Sequence, residues 1–378
     1  MTNDPGKVTT RTAEPAPIGE PRPGGSGEGG AAETVGDSRL RAAGAALAPA
    51  QDGGIPKRRR HVATALLQRY GLLIALILII AVFSLLRPNT YATWQNFSSI
   101  LTGDAALTLI SLGIMLPLVV QQYDLSIGYI ATTSSLFTVG VMSRNEWSIG
   151  AAIALGLFIG ILVGVVNGVL IAFAKLNSLV VTLGVGSILA GITLIYSGGR
   201  IISGGVPRAF TVLGQARPAG IPIAFIYAII LAAAVWYWLS FRVSGRHLYA
   251  IGGNPDAARL SGIPVKWLTF LALVGGALLA SAGGIIQAAR IGASSADSMV
   301  SMLLPAFAAA FLSTTAIRPG NFNVWGTVIA VYVVATGTSG MFMIGAPTYV
   351  EPLFNGAILI GAIGLYRWTM HRRDKAAG

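Results

Sequence analysis

Between residues 61 and 366 only six carboxylates, Asp104, Asp124, Glu146, Asp256, Asp297 and Glu351, interrupt a chain in which long apolar runs recur with short polar breaks. A helix needs about 20 apolar residues to cross a bilayer. Runs at 70–86, 102–120, 125–143, 148–174, 178–197, 221–241, 266–287, 299–316, 324–344 and 350–368 approach or exceed that length. A chain that is 54% hydrophobic and 11% charged also has too little polar surface for a soluble globule of 378 residues. The expected fold is all-α, a polytopic membrane helical bundle of about ten transmembrane helices.

Residues 1–56 differ in kind. They are rich in Gly, Pro, Ala, Ser and Thr and hold seven of the 14 acidic residues, with no sustained apolar period. Ordering such a segment costs conformational entropy that little apolar burial offsets, so a disordered extension is expected. The first apolar run, from Tyr70, follows the basic run Lys57-Arg58-Arg59-Arg60 and starts too far into the chain for a cleaved signal peptide.

The charge of +12 is absorbed by topology. Ten spans with the N-terminus in the cytoplasm place 15 Lys and Arg inside, including Lys175, Arg242, Arg246, Arg259, Lys266, Arg318 and the C-terminal group. Six fall outside: Arg87, Arg144, Arg200, Arg208, Arg217 and Arg290. That bias follows the positive-inside rule, puts both termini in the cytoplasm and leaves no surplus pointing to nucleic acid. The chain has no cysteine, and its three histidines, His61, His247 and His371, are scattered, which leaves no local metal-ligand pattern. No phosphate loop, nucleophile elbow or His-Glu-x-x-His pair occurs, so any energy for transport must come from a partner or an ion gradient.

Gly156, Gly160, Gly164 and Gly168 recur every fourth residue and share one helix face. This small-xxx-small stripe fits either helix packing or a moving interface along a path. Asn167 borders the stripe as a packing residue or a substrate contact. Pro117 and Pro305 each fall inside an apolar run, where they act as kinks or mark broken helices around a central path. Asp124 opens the third run in Asp124-Leu125-Ser126-Ile127-Gly128, where it caps a helix or lines a polar path. The scarcity of intramembrane carboxylates argues against a proton relay.

The loop 242–266 carries a complete local specification for one short helix. Asn254 is a good N-cap, Pro255 suits the first helical position, and Asp256 favours the positive end of the dipole. Ala257, Ala258, Arg259, Leu260 and Ser261 continue it, and Gly262 can take the left-handed stop. Two turns are too few to be stable alone in water, so this helix is expected to dock against its own bundle or a partner.

Three of these segments carry a family resemblance. Gln121-Gln122-Tyr123-Asp124-Leu125-Ser126-Ile127-Gly128, Asn167-Gly168 with Val180-Val181-Thr182-Leu183-Gly184, and above all Gly245 to Ile263 resemble the permease subunit of ribose-type and related ABC sugar importers. The resemblance spans about residues 70–368. It implies a type II ABC importer-like permease domain over 57–378 in the plasma (inner) membrane. That domain would pair with a second permease subunit, commonly a copy of itself, a cytoplasmic ABC ATPase and an extracytoplasmic solute-binding protein. No cofactor is expected on this chain, since ATP and Mg would be used by the ATPase. Asn254 to Gly262 would be the coupling helix, and the cargo a monosaccharide. A permease for a non-sugar solute such as an autoinducer, nucleoside or branched-chain amino acid shares most of the architecture, and a secondary transporter is the remaining alternative. The chain departs from the family where Gln121 and Gln122 replace a glycine pair, and where the usual glycine-rich stretch reads Phe311 to Gly320.

Overall fold

A computed structural model describes residues 57–377, so the expected extension over 1–56 lies outside the described residues. The described chain is helical: α1 (Lys57–Leu86), α2 (Trp94–Gly103), α3 (Ala105–Val119), α4 (Ile127–Asn145), α5 (Ile149–Gly168), α6 (Ser178–Ser197), α7 (Arg208–Gln215), α8 (Ile223–Phe241), α9 (Val243–Gly253), α10 (Pro255–Leu260), α11 (Val265–Ile291), α12 (Leu303–Leu312), α13 (Val324–Met343) and α14 (Val350–Ala377). Among the described residues the one β-type pairing is an isolated antiparallel bridge between Ile202 and Ser294.

Six segments are long and apolar enough to cross a membrane: Trp94–Val119, Ile149–Phe173, Ser178–Ser197, Ile223–Phe241, Val265–Ile291 and Val324–Met343. Shorter apolar helical stretches cover Tyr70–Leu86, Val300–Thr315 and Val350–Gly364. Helix α4 is absent from the six because Thr132, Thr133, Ser134, Ser135 and Thr138 lower its hydropathy. Those hydroxyls are buried and satisfied within protein: Thr132 donates to the Gly128 carbonyl at 2.9 Å, Thr138 to Ser134 at 2.7 Å, and Ser134 to the Ser281 hydroxyl at 2.9 Å. A polar helix is tolerated in a bilayer when neighbouring protein satisfies its groups in this way.

Helices α3 and α11 form the centre. All 15 residues of α3 are buried, and α11 packs against α3, α4 and α5. The α3–α11 pair runs antiparallel, with Gly113 against Gly276 and Gly283 against Ala106 and Leu109. A β-carbon at Gly113 would lie 2.7 Å from the Gly276 carbonyl oxygen, so the two backbones meet with no room for a side chain. Helices α5, α6 and α8 instead expose large apolar side chains, among them Phe158, Val180, Ile188, Ile195 and Ile230. Such an apolar belt around a polar-satisfied interior suits lipid as its solvent.

Helix breaks do not fall where the prolines predict. Helix α3 continues through Pro117 and stops at Val119, and Pro305 is the third residue of α12, where its missing N–H costs nothing. The interruptions lie at Asp104, between α2 and α3, and over residues 292–302 ahead of α12. The eighth apolar run is therefore a ten-residue α-helix flanked by single 3-10 turns at Val300–Met302 and Ser313–Thr315.

Candidate functional site

The helix specified by loop 242–266 is present as α10. Asn254 has extended backbone angles and its side-chain oxygen accepts from the backbone N–H of Asp256 at 3.1 Å and of Ala257 at 3.0 Å. At the other end Gly262 takes φ +78°, its N–H donates to the Arg259 carbonyl at 3.0 Å, and the Ile263 N–H donates to Ala258 at 3.1 Å. These two reversed bonds form a Schellman stop, which satisfies carbonyls the helix end leaves free. Arg259 pairs with Asp256 at 3.1 Å on the exposed face, Ala258 is buried against the bundle, and Leu260 is 91% exposed.

Helix α9, residues Val243–Gly253, precedes it. The capping signals of α10 did not announce α9, because Arg242 gives α9 no side-chain cap and its Gly252-Gly253 end carries weak helix propensity. Gly252 packs directly on the Val119 carbonyl at the end of α3. Gln121 closes the same corner, donating from Nε2 to the Gly252 carbonyl at 2.6 Å. Gln121 holds φ +60°, a left-handed conformation that favours glycine.

Asp124, Ser126 and Asn167 come together in the interior. Asp124 Oδ1 accepts from the Ser126 N–H at 2.9 Å and from its hydroxyl at 2.5 Å. Asn167 Nδ2 donates to Ser126 Oγ at 2.8 Å and reaches Asp124 Oδ2 at 3.4 Å. Asp124 thus makes an Asx turn two residues ahead of the cap position of α4, which Ser126 fills. The flanking strand of loop is held to α6, with the Tyr123 N–H donating to Ser178 Oγ at 3.3 Å and the Leu125 N–H to Thr182 Oγ1 at 3.1 Å.

The glycine stripe of α5 faces α11 of the same chain, antiparallel to it. Added β-carbons at Gly156, Gly164 and Gly168 would meet Ile285 Cδ1 at 3.0 Å, Val274 Cα at 2.9 Å and Phe270 Cδ2 at 2.5 Å, and one at Gly160 would strike Ser281. Asn167 sits beside this seam just before a π-helical turn at Val169–Phe173. Pro305 lies apart from this seam, in the wall of a cavity of about 420 Å³ shared with Asp104, Glu351 and Asn355. Among the described residues no three His, Cys, Asp or Glu side chains converge as a metal set would.

Comparison with known proteins accounts for these features together. Residues 96–363 match the family described as the branched-chain amino acid transport system / permease component. The ribose import permease protein RbsC of Escherichia coli K12 is 30% identical over 311 residues, covering 81% of this chain and 95% of that protein. The D-allose transport system permease protein AlsC of the same strain is 29% identical over 299 residues, covering 79% and 91%. The autoinducer 2 import system permease protein LsrD of Escherichia coli O9:H4 is 31% identical over 315 residues, covering 81% and 95%. No solved structure matches the chain. An all-helical, largely apolar chain whose match to that family runs from α2 into α14 belongs to the branched-chain amino acid transport system / permease component family.

Proposed function

We infer that this chain is the membrane-spanning permease subunit of an ATP-driven ABC importer, and that its cargo is a monosaccharide handed over by an extracytoplasmic binding protein. The observation that carries the importer reading is α10: a short, doubly capped helix that buries Ala258, presents Leu260 and Arg259 outward, and is wedged between α9 and α11. A rigid tip of this kind fits a groove on a cytoplasmic ATPase. The chain itself is not an enzyme; ATP and Mg are used by that partner. The sugar reading is supported by the ribose and D-allose permeases among its relatives.

Adding α4 and the three shorter apolar helices to the six long ones gives ten crossings, with a second permease subunit, most simply another copy, completing the path. The face bearing α10 is then cytoplasmic, in keeping with the basic residues Arg242, Arg246, Arg259 and Lys266 around it. Copurification of the membrane-extracted chain with the cassette ATPase of its own cell tests the reading. The ATPase should be retained by the wild type and lost from a chain lacking residues 254–262, and sugar uptake should follow it. The autoinducer 2 permease relative makes autoinducer 2 the second cargo to assay.

A further inference from the structure

The stretch ending at Gly320, where this chain departs from a glycine-rich pattern, closes in two consecutive tight turns. The Arg318 N–H donates to the Ala316 carbonyl at 2.6 Å across Ile317, which holds φ +61°. A three-residue turn with its central φ positive is the rare, strained kind, and a β-branched residue keeps left-handed backbone only where the surroundings hold it there. Arg318-Pro319-Gly320-Asn321 then forms a type II β-turn: the Asn321 N–H donates to the Arg318 carbonyl at 3.0 Å, proline takes the second position, and Gly320 the third at φ +81°. Such a turn brings its first and fourth residues together. Both of them, Arg318 and Asn321, line a cavity of about 340 Å³ with Leu239 and Ser240 of α8 and Arg246 and Tyr249 of α9. That volume is within the range of small-molecule sites.

The chemistry of this cavity is one-sided. Arg246 and Arg318 bring guanidinium groups that only donate, Ser240 and Asn321 add a hydroxyl and an amide able to donate, and no carboxylate lines the wall. Among the described residues the one ion pair joins Arg259 to Asp256, so neither arginine of the cavity has its charge matched. Two unmatched positive charges carried to one cavity by separate elements favour an anion between them, and guanidinium forks suit phosphate oxygens in particular.

The depth of the cavity in the bundle points to the source of that phosphate. Ser240 lies in the last turn of α8, a helix long and apolar enough to cross a bilayer. Trp236, one turn earlier on the same face, packs against Trp325 of α13 with ring centroids 6.1 Å apart and edge-on to Phe241 at 5.2 Å. Trp236, Tyr237 and Phe241 are all exposed. Exposed aromatic side chains clustered at the end of a spanning helix mark the depth of lipid headgroups, and basic cavities between helices at that depth suit anionic ones. A soluble anion would use the arginines and leave the aromatic belt without a partner. We propose that the cavity between α8, α9 and the 316–321 turn binds an anionic phospholipid, with Arg246 and Arg318 on its phosphate and Trp236 and Trp325 against its glycerol and upper acyl chain.

The test uses the full-length chain in a maltoside detergent, titrated with phosphatidylglycerol or phosphatidylcholine, with retained lipid counted by native mass spectrometry. The wild type should hold phosphatidylglycerol about tenfold more tightly, the order expected of one charged hydrogen bond, and Arg246→Gln or Arg318→Gln should abolish that preference. Both arginines are exposed, so the variants should melt as the wild type does in phosphatidylcholine. Lys266→Gln removes an equal charge from an exposed position outside the cavity and should keep the preference. An equal loss in Lys266→Gln overturns the site in favour of diffuse surface charge. Displacement of the lipid by inorganic phosphate gives the cavity to a free anion and overturns the lipid. No preference in the wild type also overturns the site, and if Arg246→Gln then loses the copurifying cassette ATPase, the arginine pair belongs to that protein instead. None of these outcomes bears on the cargo, so the permease reading stands or falls separately.

Discussion

The phenol of Tyr249 donates a 2.9 Å hydrogen bond to the carbonyl of Phe322, tying α9 to the turn that leads into α13. Burial raises the Tyr249 phenol above its usual range, so it remains a donor throughout the pH span of a transport assay. Tyr249→Phe keeps the ring and removes the bond. It should cost about 1 kcal/mol, read as a melting shift of about 2 °C in detergent, with ATP hydrolysis per transported solute rising because α9 is less firmly held.

Substitutions in α10 should separate assembly from coupling. Arg259→Glu breaks the 3.1 Å pair with Asp256 and puts an anion at the negative end of the helix, a local penalty of about 0.3–1 kcal/mol. Asn254→Ala removes both N-terminal cap bonds at a cost of about 1 kcal/mol. Membrane insertion should be unchanged in both, and transport and solute-stimulated ATP hydrolysis in vesicles should fall together. Wild-type coupling in Arg259→Glu alongside its loss in a far-face control, Arg208→Glu, would remove α10 as the docking element.

At the α5–α11 seam, Gly164→Val has nowhere to go, since even its β-carbon would lie 2.9 Å from Val274 Cα. Overpacking of this kind costs about 1–3 kcal/mol. Gly191→Ala in α6 meets nothing within 4 Å and serves as the control. Thermal unfolding of the two in the same detergent should show a loss for the first and none for the second.

How much of this was legible in the sequence depends on how local the determinant is. Asn254, Pro255, Asp256 and Gly262 act within a few residues of one another, so α10 and both its ends were readable. The glycine stripe announced a close contact but not its partner, because that α11 supplies the opposing face is a matter of tertiary packing. Pro117 and Pro305 misdirected the search for breaks, since a proline interrupts a helix only from its interior and Pro305 stands in a first turn. The Asp104 junction was missed because the second apolar run was read as starting at residue 102, and the polar Gln95, Asn96, Ser98 and Ser99 hid the helix before it.

The Asp124 cluster predicts a graded response. Asp124→Ala leaves the Ser126 N–H and the Ser126 hydroxyl without their buried acceptor, while Asn167 keeps only its bond to Ser126 Oγ, and about 2–4 kcal/mol should be lost, seen as poor yield of monodisperse protein. Asp124→Asn keeps one acceptor and should recover most of that yield. Equal yields from Asp124→Ala and the wild type would show that the three side chains do not act as one unit.

Orientation is testable with the cysteine-free chain. A cysteine at Arg208, exposed at the start of α7, should react in intact cells with a membrane-impermeant thiol reagent, and one at Arg373 should react only after the membrane is opened. The reverse pattern would invert the assignment of α10 to the cytoplasmic face.

The corner where Gly252 rests on Val119, latched by Gln121, makes the bundle a lever. Val119 ends a buried helix of 15 residues, about 22 Å long, whose other end begins at the Asp104 break and carries Leu107 into the cavity wall. Any displacement of α9 at that corner therefore bears on one end of a stiff rod, and the rod's far end stands in a cavity wall. From Ala105 to Val119 no loop interrupts it, so the Gly252 corner and the cavity wall at Leu107 are two ends of one rigid body.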